Sequence, residues 1–227
     1  MTRRTWATLC ACLLLLLTTG CASFRTMPFA SPSEKVEDKK AVYRLLVTLE
    51  NSYWPSFHPR LQTVVVDRRV GDKWEGNLIS ADLHGIVVVP GAAVNSYAAR
   101  LELEPGEYVL RRLNANGMVF PIQGTFEVPL YANLSVREPT GVFYLGNVRA
   151  TVREAKDGEL KAGPVIPLID QAVAGASGGT FEVTITDAWR TDEAVFRSQF
   201  PALAKVPVRK AILPAWNRAK VKRATEK

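Results

Sequence analysis

The chain has 227 residues and a formal net charge of +7, with 29 Lys and Arg against 22 Asp and Glu. It is long enough to bury a sizeable core without covalent staples. Its three cysteines, at positions 10, 12 and 21, are too few and too clustered at one end for a disulfide framework or a Cys-based zinc site in the body. A pI near 9.5 suggests nucleic acid, but the charge is unevenly held. Lys205–Lys227 has eight Lys or Arg against Glu226 alone, which leaves the stretch from Cys21 to Ala204 slightly acidic.

The N-terminus reads Met1-Thr2-Arg3-Arg4, then apolar residues from Trp6 to Leu17, then Thr18-Thr19-Gly20-Cys21. A basic start, a short apolar stretch and small residues form the layout of a secretory leader over residues 1–20. The apolar stretch falls short of the roughly 20 residues that span a bilayer core. Leu17-Thr18-Thr19-Gly20-Cys21 resembles the lipobox of bacterial lipoproteins, with Thr18 where that family has Leu and Leu17 displaced by one. The resemblance implies a diacylglyceryl group on the Cys21 thiol, and Ala22 after it implies outer-membrane sorting. Cys10 and Cys12 then leave with the leader, so Cys21 is the only thiol remaining. A chain with this address faces the periplasm or the cell surface, where nucleic acid is not an available partner.

Residues 21–40 are rich in Ser, Pro and charge and read as a spacer between anchor and domain. From Ala41 the pattern turns to period two. Val42, Arg44, Leu46, Thr48 and Glu50 alternate with Tyr43, Leu45, Val47 and Leu49, which predicts a half-buried strand. Further strands are expected at Thr63–Asp67, Leu78–Val89 (broken at His84-Gly85), Tyr97–Leu103, Tyr108–Leu113, Gly117–Val128, Leu134–Glu138, Val142–Glu154 and Thr180–Thr186. Glu104-Pro105-Gly106-Glu107 is a turn signal between two of them, Gly106 being free to take positive φ. A helix is expected from Thr191, which would cap it, with Asp192 and Glu193 in its first turn, Phe196 and Phe200 at i and i+4, and Pro201 closing it. A second, basic helix is expected after Pro214, with Trp216 and Lys220 one turn apart. Short strands at regular spacing, separated by Pro and Gly, predict a mainly β fold. The expected form is an antiparallel β-sandwich over 41–204, Ig-like or transthyretin-like, with a short C-terminal helix and a basic tail over 205–227.

Leu103-Glu104-Pro105-Gly106-Glu107-Tyr108-Val109-Leu110 resembles the PGxY strand-turn-strand of carboxypeptidase-regulatory-like and transthyretin-like sandwiches. Val142–Val148, with the segment ending Phe200-Pro201-Ala202-Leu203, is similar to a group of uncharacterised bacterial lipoproteins with that sandwich. This resemblance implies a fold and brings no activity with it.

No nucleophile elbow, HExxH, phosphate loop or SxxK is present, and the only histidines are His58 and His84. Asp82-Leu83-His84 places two ligating side chains on one strand face, but no third ligand stands at a recognisable spacing, so no metal or cofactor is expected. Asn51–Arg60 is the most unusual stretch. Tyr53, Trp54, Phe57, His58 and Arg60 form the candidate binding set, weighed against aromatics that simply plug one end of the sandwich. Lys205, Arg209, Lys210, Arg218, Lys220, Lys222 and Arg223 form a candidate anionic-surface tail, weighed against a solvated end. The expectation is a non-catalytic envelope lipoprotein that binds or scaffolds an envelope protein or anionic polymer. The alternative is an envelope hydrolase acting on glycan or peptide through carboxylates such as Asp82 or Asp187.

Overall fold

β-branched and aromatic residues at every second position favour extended chain, and ten strands form among the described residues. The computed structural model describes residues 41–79, 86–91, 94–120, 122–164, 174–203 and 205–226. The leader, the spacer with Cys21, and Asp82-Leu83-His84 lie outside these residues. The strands are β1 (Ala41–Asn51), β2 (Arg60–Val70), β3 (Lys73–Ile79), β4 (Ile86–Val88), β5 (Asn95–Leu103), β6 (Gly106–Val119), β7 (Ile122–Val136), β8 (Gly141–Glu154), β9 (Gly179–Thr186) and β10 (Val208–Lys210). The helices are α1 (Trp189–Gln199) and α2 (Arg218–Thr225).

The strands make two sheets packed as a sandwich. The smaller has the order β3-β2-β6-β7. The larger runs β4-β5-β1-β8, and the outer edge of β8 is shared by β10 along Val142–Tyr144 and by β9 along Asn147–Glu154. Most pairs are antiparallel, but β1–β8 and β10–β8 are parallel. The Glu104–Gly106 turn joins two strands, as expected, yet it carries the chain from one sheet to the other instead of closing a hairpin. β5 pairs with β1 and β4, whereas β6 pairs with β2 and β7. Tyr108 ties this crossing down by donating its hydroxyl to the Glu104 carbonyl at 2.9 Å. Gly106 has φ 157°, and a Cβ there would lie 3.3 Å from Arg68 Nε, so glycine lets Arg68 pass over the turn.

Residues 117–128, expected as one strand, contain a hairpin. β6 and β7 stay paired to Val119–Ile122, and Phe120 stands 92% exposed at the tip. Between the sheets lies the main core, with Tyr43, Leu45 and Leu101 from the larger sheet and Val66, Leu110 and Phe126 from the smaller.

β1 is not half-buried. Val42 and Leu46, on its other face, are as enclosed as Leu45, because α1 lies over that face as a third layer. Phe196 and Phe200 are fully buried there, with ring centroids 6.3 Å apart, against Val42, Leu46, Ala98, Val142 and Tyr144. Arg44 and Arg100 are cross-strand neighbours on the same face, each with its guanidinium over a ring, Phe196 at 5.6 Å and Phe200 at 5.7 Å. Burial first, then the charges of Arg197 and Arg100, lower the Arg44 guanidinium to about 10.

α1 begins three residues before the expected start. Its N-cap is Ala188, which offers no side-chain acceptor, and Thr191 instead donates its hydroxyl to the Ala188 carbonyl. Asp192 in the first turn docks the helix: Tyr144 Oη donates to its carboxylate at 2.6 Å and Asn147 Nδ2 at 3.1 Å. That bond, together with burial, pushes the Tyr144 hydroxyl pKa well up, burial being the larger cause.

Candidate functional site

The Asn51–Arg60 loop closes one end of the sandwich and is organised by Asn51, which is buried. The Asn51 side-chain amide donates to the carbonyls of Phe57 and Ala174, and its Oδ1 accepts from Trp54 N–H at 2.8 Å. Phe57 sits in the main core and Tyr53 packs against it. His58 Nδ1 accepts the Asn51 backbone N–H at 3.1 Å, so that nitrogen is committed to the loop. Arg60 is exposed, and Trp54 is 46% exposed. Gly175 sits tight beneath Trp54: a Cβ there would lie 2.9 Å from its indole. Within the candidate set, Phe57 and Tyr53 are therefore plug residues, while Trp54 and Arg60 present surface.

Residues 205–226 pack onto the sandwich. Val208–Lys210 adds a parallel strand to β8, and the N–H groups of Ala211 and Leu213 donate to the carbonyls of Tyr144 and Leu145. Leu213 and Val221 are buried, and Trp216 packs on the main core while donating Nε1–H to the Pro129 carbonyl at 2.8 Å. Most of the basic residues are tied down. Arg209 pairs with Glu138 and lies over the Phe143 ring at 4.4 Å. Lys210 pairs with Asp187 at 2.6 Å. Arg218 donates to Thr180, Phe181 and Glu182, and Lys222 donates to the Gly158 carbonyl at 2.8 Å. Lys205 is exposed.

Lys220 and Arg223 are different. Asn217 caps α2 by accepting the Lys220 N–H at 2.9 Å, and Val221 turns inward. Helical spacing then places Lys220, Arg223 and Ala224 on one face. That face looks across the outer side of the smaller sheet, and between helix and sheet lies a cleft of about 730 Å³.

Four strands supply its other wall: Asp67 from β2, Trp74 from β3, Val109 and Arg111 from β6, and Tyr131 and Asn133 from β7. Asp67, Val109 and Asn133 form one row across the sheet. Arg111 reaches the outer face because β6 bulges there. The register with β2 and with β7 skips it, and Leu110 and Leu113 both remain in the core. Bulges of this kind re-aim a side chain next to a site. Opposite the bulge, Tyr131 holds φ 45°, the one positive φ outside glycine among the described residues. A non-glycine residue in that region costs on the order of 1–3 kcal/mol and needs its surroundings to hold it there.

Asp67 is fully buried and forms an ion pair with Arg111, whose side chain is 36% exposed toward the cleft. Burial raises the Asp67 carboxyl pKa, against the opposing pull of Arg111 and then Arg112. Asp67 is the one acid among the described lining residues, which include three cations, Arg111, Lys220 and Arg223. Among the described residues neither Lys220 nor Arg223 has an ion-pair partner. The cleft is therefore cationic, with the half-exposed Trp74 in its wall. Lys220 and Arg223 belong to the basic set read from sequence, whereas Asp67, Trp74, Arg111 and Tyr131 were not singled out. The signal for Arg111 was the broken alternation Leu110-Arg111-Arg112-Leu113.

No protein-family model, curated protein or solved structure matches the chain.

Proposed function

We propose that the chain is a non-catalytic, lipid-anchored module of the cell envelope that holds an anionic partner in the cleft between α2 and the smaller sheet. The observation that carries this reading is the convergence of Arg111, Lys220 and Arg223 on one concave surface lined by a single acid. Among the described residues two of these cations have no ion-pair partner, so their charge is available to a ligand. A concave site concentrates such a field in a way that a convex basic surface does not. The address rests on Leu17–Cys21 and on Ala22 after it, and the partner is a negatively charged envelope component such as a lipid head group, lipopolysaccharide or wall polymer.

Two experiments test the two halves. Palmitate labelling in a bacterial host is expected to mark the wild-type chain and to vanish in Cys21→Ser; a labelled Cys21→Ser chain refutes the anchor. Co-sedimentation with anionic vesicles or wall polymer is expected to fall on going from about 50 to about 300 mM salt, since the screening length shortens over that range. Lys220→Glu with Arg223→Glu is expected to remove most of the salt-sensitive part. Equal binding by wild type and variant refutes the cleft as the binding surface.

A further inference from the structure

The composition of the cleft narrows the ligand, on the premise that the cleft is the anion-binding surface proposed above. Arg111 is already paired with Asp67, so among the described residues Lys220 and Arg223 leave the wall with roughly two uncompensated positive charges. A carboxylate supplies one negative charge, whereas a phosphomonoester carries about −1.5 to −2 at neutral pH and three acceptor oxygens. Arginine offers a planar fork of donors matched to phosphate, and lysine a mobile point charge. The phosphomonoester is the better match in both charge and geometry.

The rest of the wall speaks for a ring. Trp74 is 47% exposed on the rim, an unusual place for a large aromatic on a strand. Its flat apolar face suits the C–H face of a sugar. Asn133 and Thr225 add an amide and a hydroxyl within the same lining, suited to ring hydroxyls. A volume of about 730 Å³ exceeds what a bare phosphate fills and falls within the range of sites for cofactor-sized ligands. Tyr131 at φ 45°, opposite the bulge at Arg111, adds strained backbone to the same wall, and such strain clusters at sites.

We propose that the cleft binds a phosphorylated sugar, with its phosphate among Arg111, Lys220 and Arg223 and its ring against Trp74. Asp67 lies beneath the floor and holds Arg111 in position without itself touching the ligand. The sugar phosphate is either free or the head of a glycolipid, since both present the same chemistry.

Calorimetry on the full chain in detergent tests this with four probes: glucose 1-phosphate, inorganic phosphate, glucuronate and glucose. Glucose 1-phosphate is expected to bind at least about tenfold more tightly than phosphate or glucuronate, and glucose not to saturate. Trp74→Ala is expected to weaken glucose 1-phosphate and leave inorganic phosphate unchanged, with Trp74→Phe restoring part of the loss. Lys220→Glu with Arg223→Glu is expected to weaken both. Phosphate binding as tightly as glucose 1-phosphate overturns the ring assignment, and glucuronate binding as tightly overturns the phosphate assignment. Should anionic polymer bind through Lys220 and Arg223 while no sugar phosphate does, the sugar-phosphate proposal fails and the broader reading stands. Should no anion bind at all, both fail. Vesicles with and without a phosphoglucosamine lipid separate the sources. Greater retention by the former, with the excess competed by glucose 1-phosphate, assigns a lipid-borne sugar; equal retention by both, with calorimetric binding intact, assigns a soluble one.

Discussion

Leu213→Ala is the sharpest test of how the C-terminal segment is held, because the sequence and the structure give opposite answers for it. In a basic tail surrounded by solvent, truncating a leucine changes stability by no more than about 0.5 kcal/mol. In the structure Leu213 is 4% exposed and part of the main core. Removing three buried carbons forfeits about 2.4 kcal/mol of transfer free energy at roughly 0.8 kcal/mol per carbon. If the site does not collapse, a void of roughly 75 Å³ at about 24 cal/mol per Å³ adds up to about 1.8 kcal/mol. The expected loss is therefore about 2.4–4.2 kcal/mol, or a fall in Tm of roughly 5–17 °C at about 2–4 °C per kcal/mol for a chain of this size.

Urea denaturation followed by circular dichroism measures the free energy, with Lys205→Ala as a near-neutral control on an exposed position. The backbone bond from Leu213 N–H to the Leu145 carbonyl, 2.8 Å long, does not depend on the side chain. Amide exchange at Ala211 and Leu213 in the wild type therefore reports docking independently, and protection at both positions is expected. A loss below about 1 kcal/mol, or exchange at unstructured-chain rates at these two amides, refutes the reasoning.

Phe196→Ala removes a ring that is fully buried between α1 and β8 and should cost about 3–5 kcal/mol. Faster amide exchange should be concentrated in α1, and uniform acceleration through both sheets would contradict a separate third layer. Asp67 has its carboxyl pKa raised from 3.8 by burial. Its contribution to stability is thus fully present below that ordinary value and is lost as pH rises through the raised one. Asp67→Asn should flatten this decline in stability toward neutral pH, and a variant with the wild-type pH profile would refute it. Glu159 behaves in the opposite sense. Hydrogen bonds from Arg153 first and the Lys156 N–H second hold its carboxyl near about 2. Its stabilising contribution is present above the ordinary value of 4.5 and lost as pH falls toward 2, so Glu159→Gln should soften the acid limb of the stability curve.

What could be read from sequence follows from how local each feature is. The bounds of β8 fall within one residue of the expected Val142–Glu154, because alternation and flanking Pro and Gly are local signals. The sandwich is likewise legible in the number and spacing of the strands. Pairing is not local, and nothing in the β1 pattern says that it lies parallel to β8 or that a helix will cover its second face. The β6–β7 hairpin has no local signal, because the sequence around its tip at Phe120 lacks the Asn-Gly or Asp-Gly signature and is largely apolar. In the C-terminal segment, charge hid the anchors: Leu213, Trp216 and Val221 are spaced among seven basic residues and do the packing, while Arg218 finds its acids more than 30 residues away. The cleft needed all of these at once. It exists only where a bulge at Arg111, the outer faces of four strands and a docked α2 meet.

The path of the chain also sets where that cleft lies relative to the start of β1. β1 enters at Ala41, paired with Leu103 and Gly141, so the spacer joins the sandwich at the end marked by the Glu104–Gly106 crossing. Val109 and Arg111 follow Gly106 by three and five residues, which at 3.3 Å per residue puts the cleft floor about 10–17 Å from that end. The half-exposed Trp54 and the β6–β7 tip at Phe120 belong to the opposite end, about 35 Å away along the 11 residues of β1. The cationic surface therefore occupies the half of the domain where the chain arrives from Cys21. The exposed aromatics Trp54 and Phe120 lie at the far end of the sandwich from that surface.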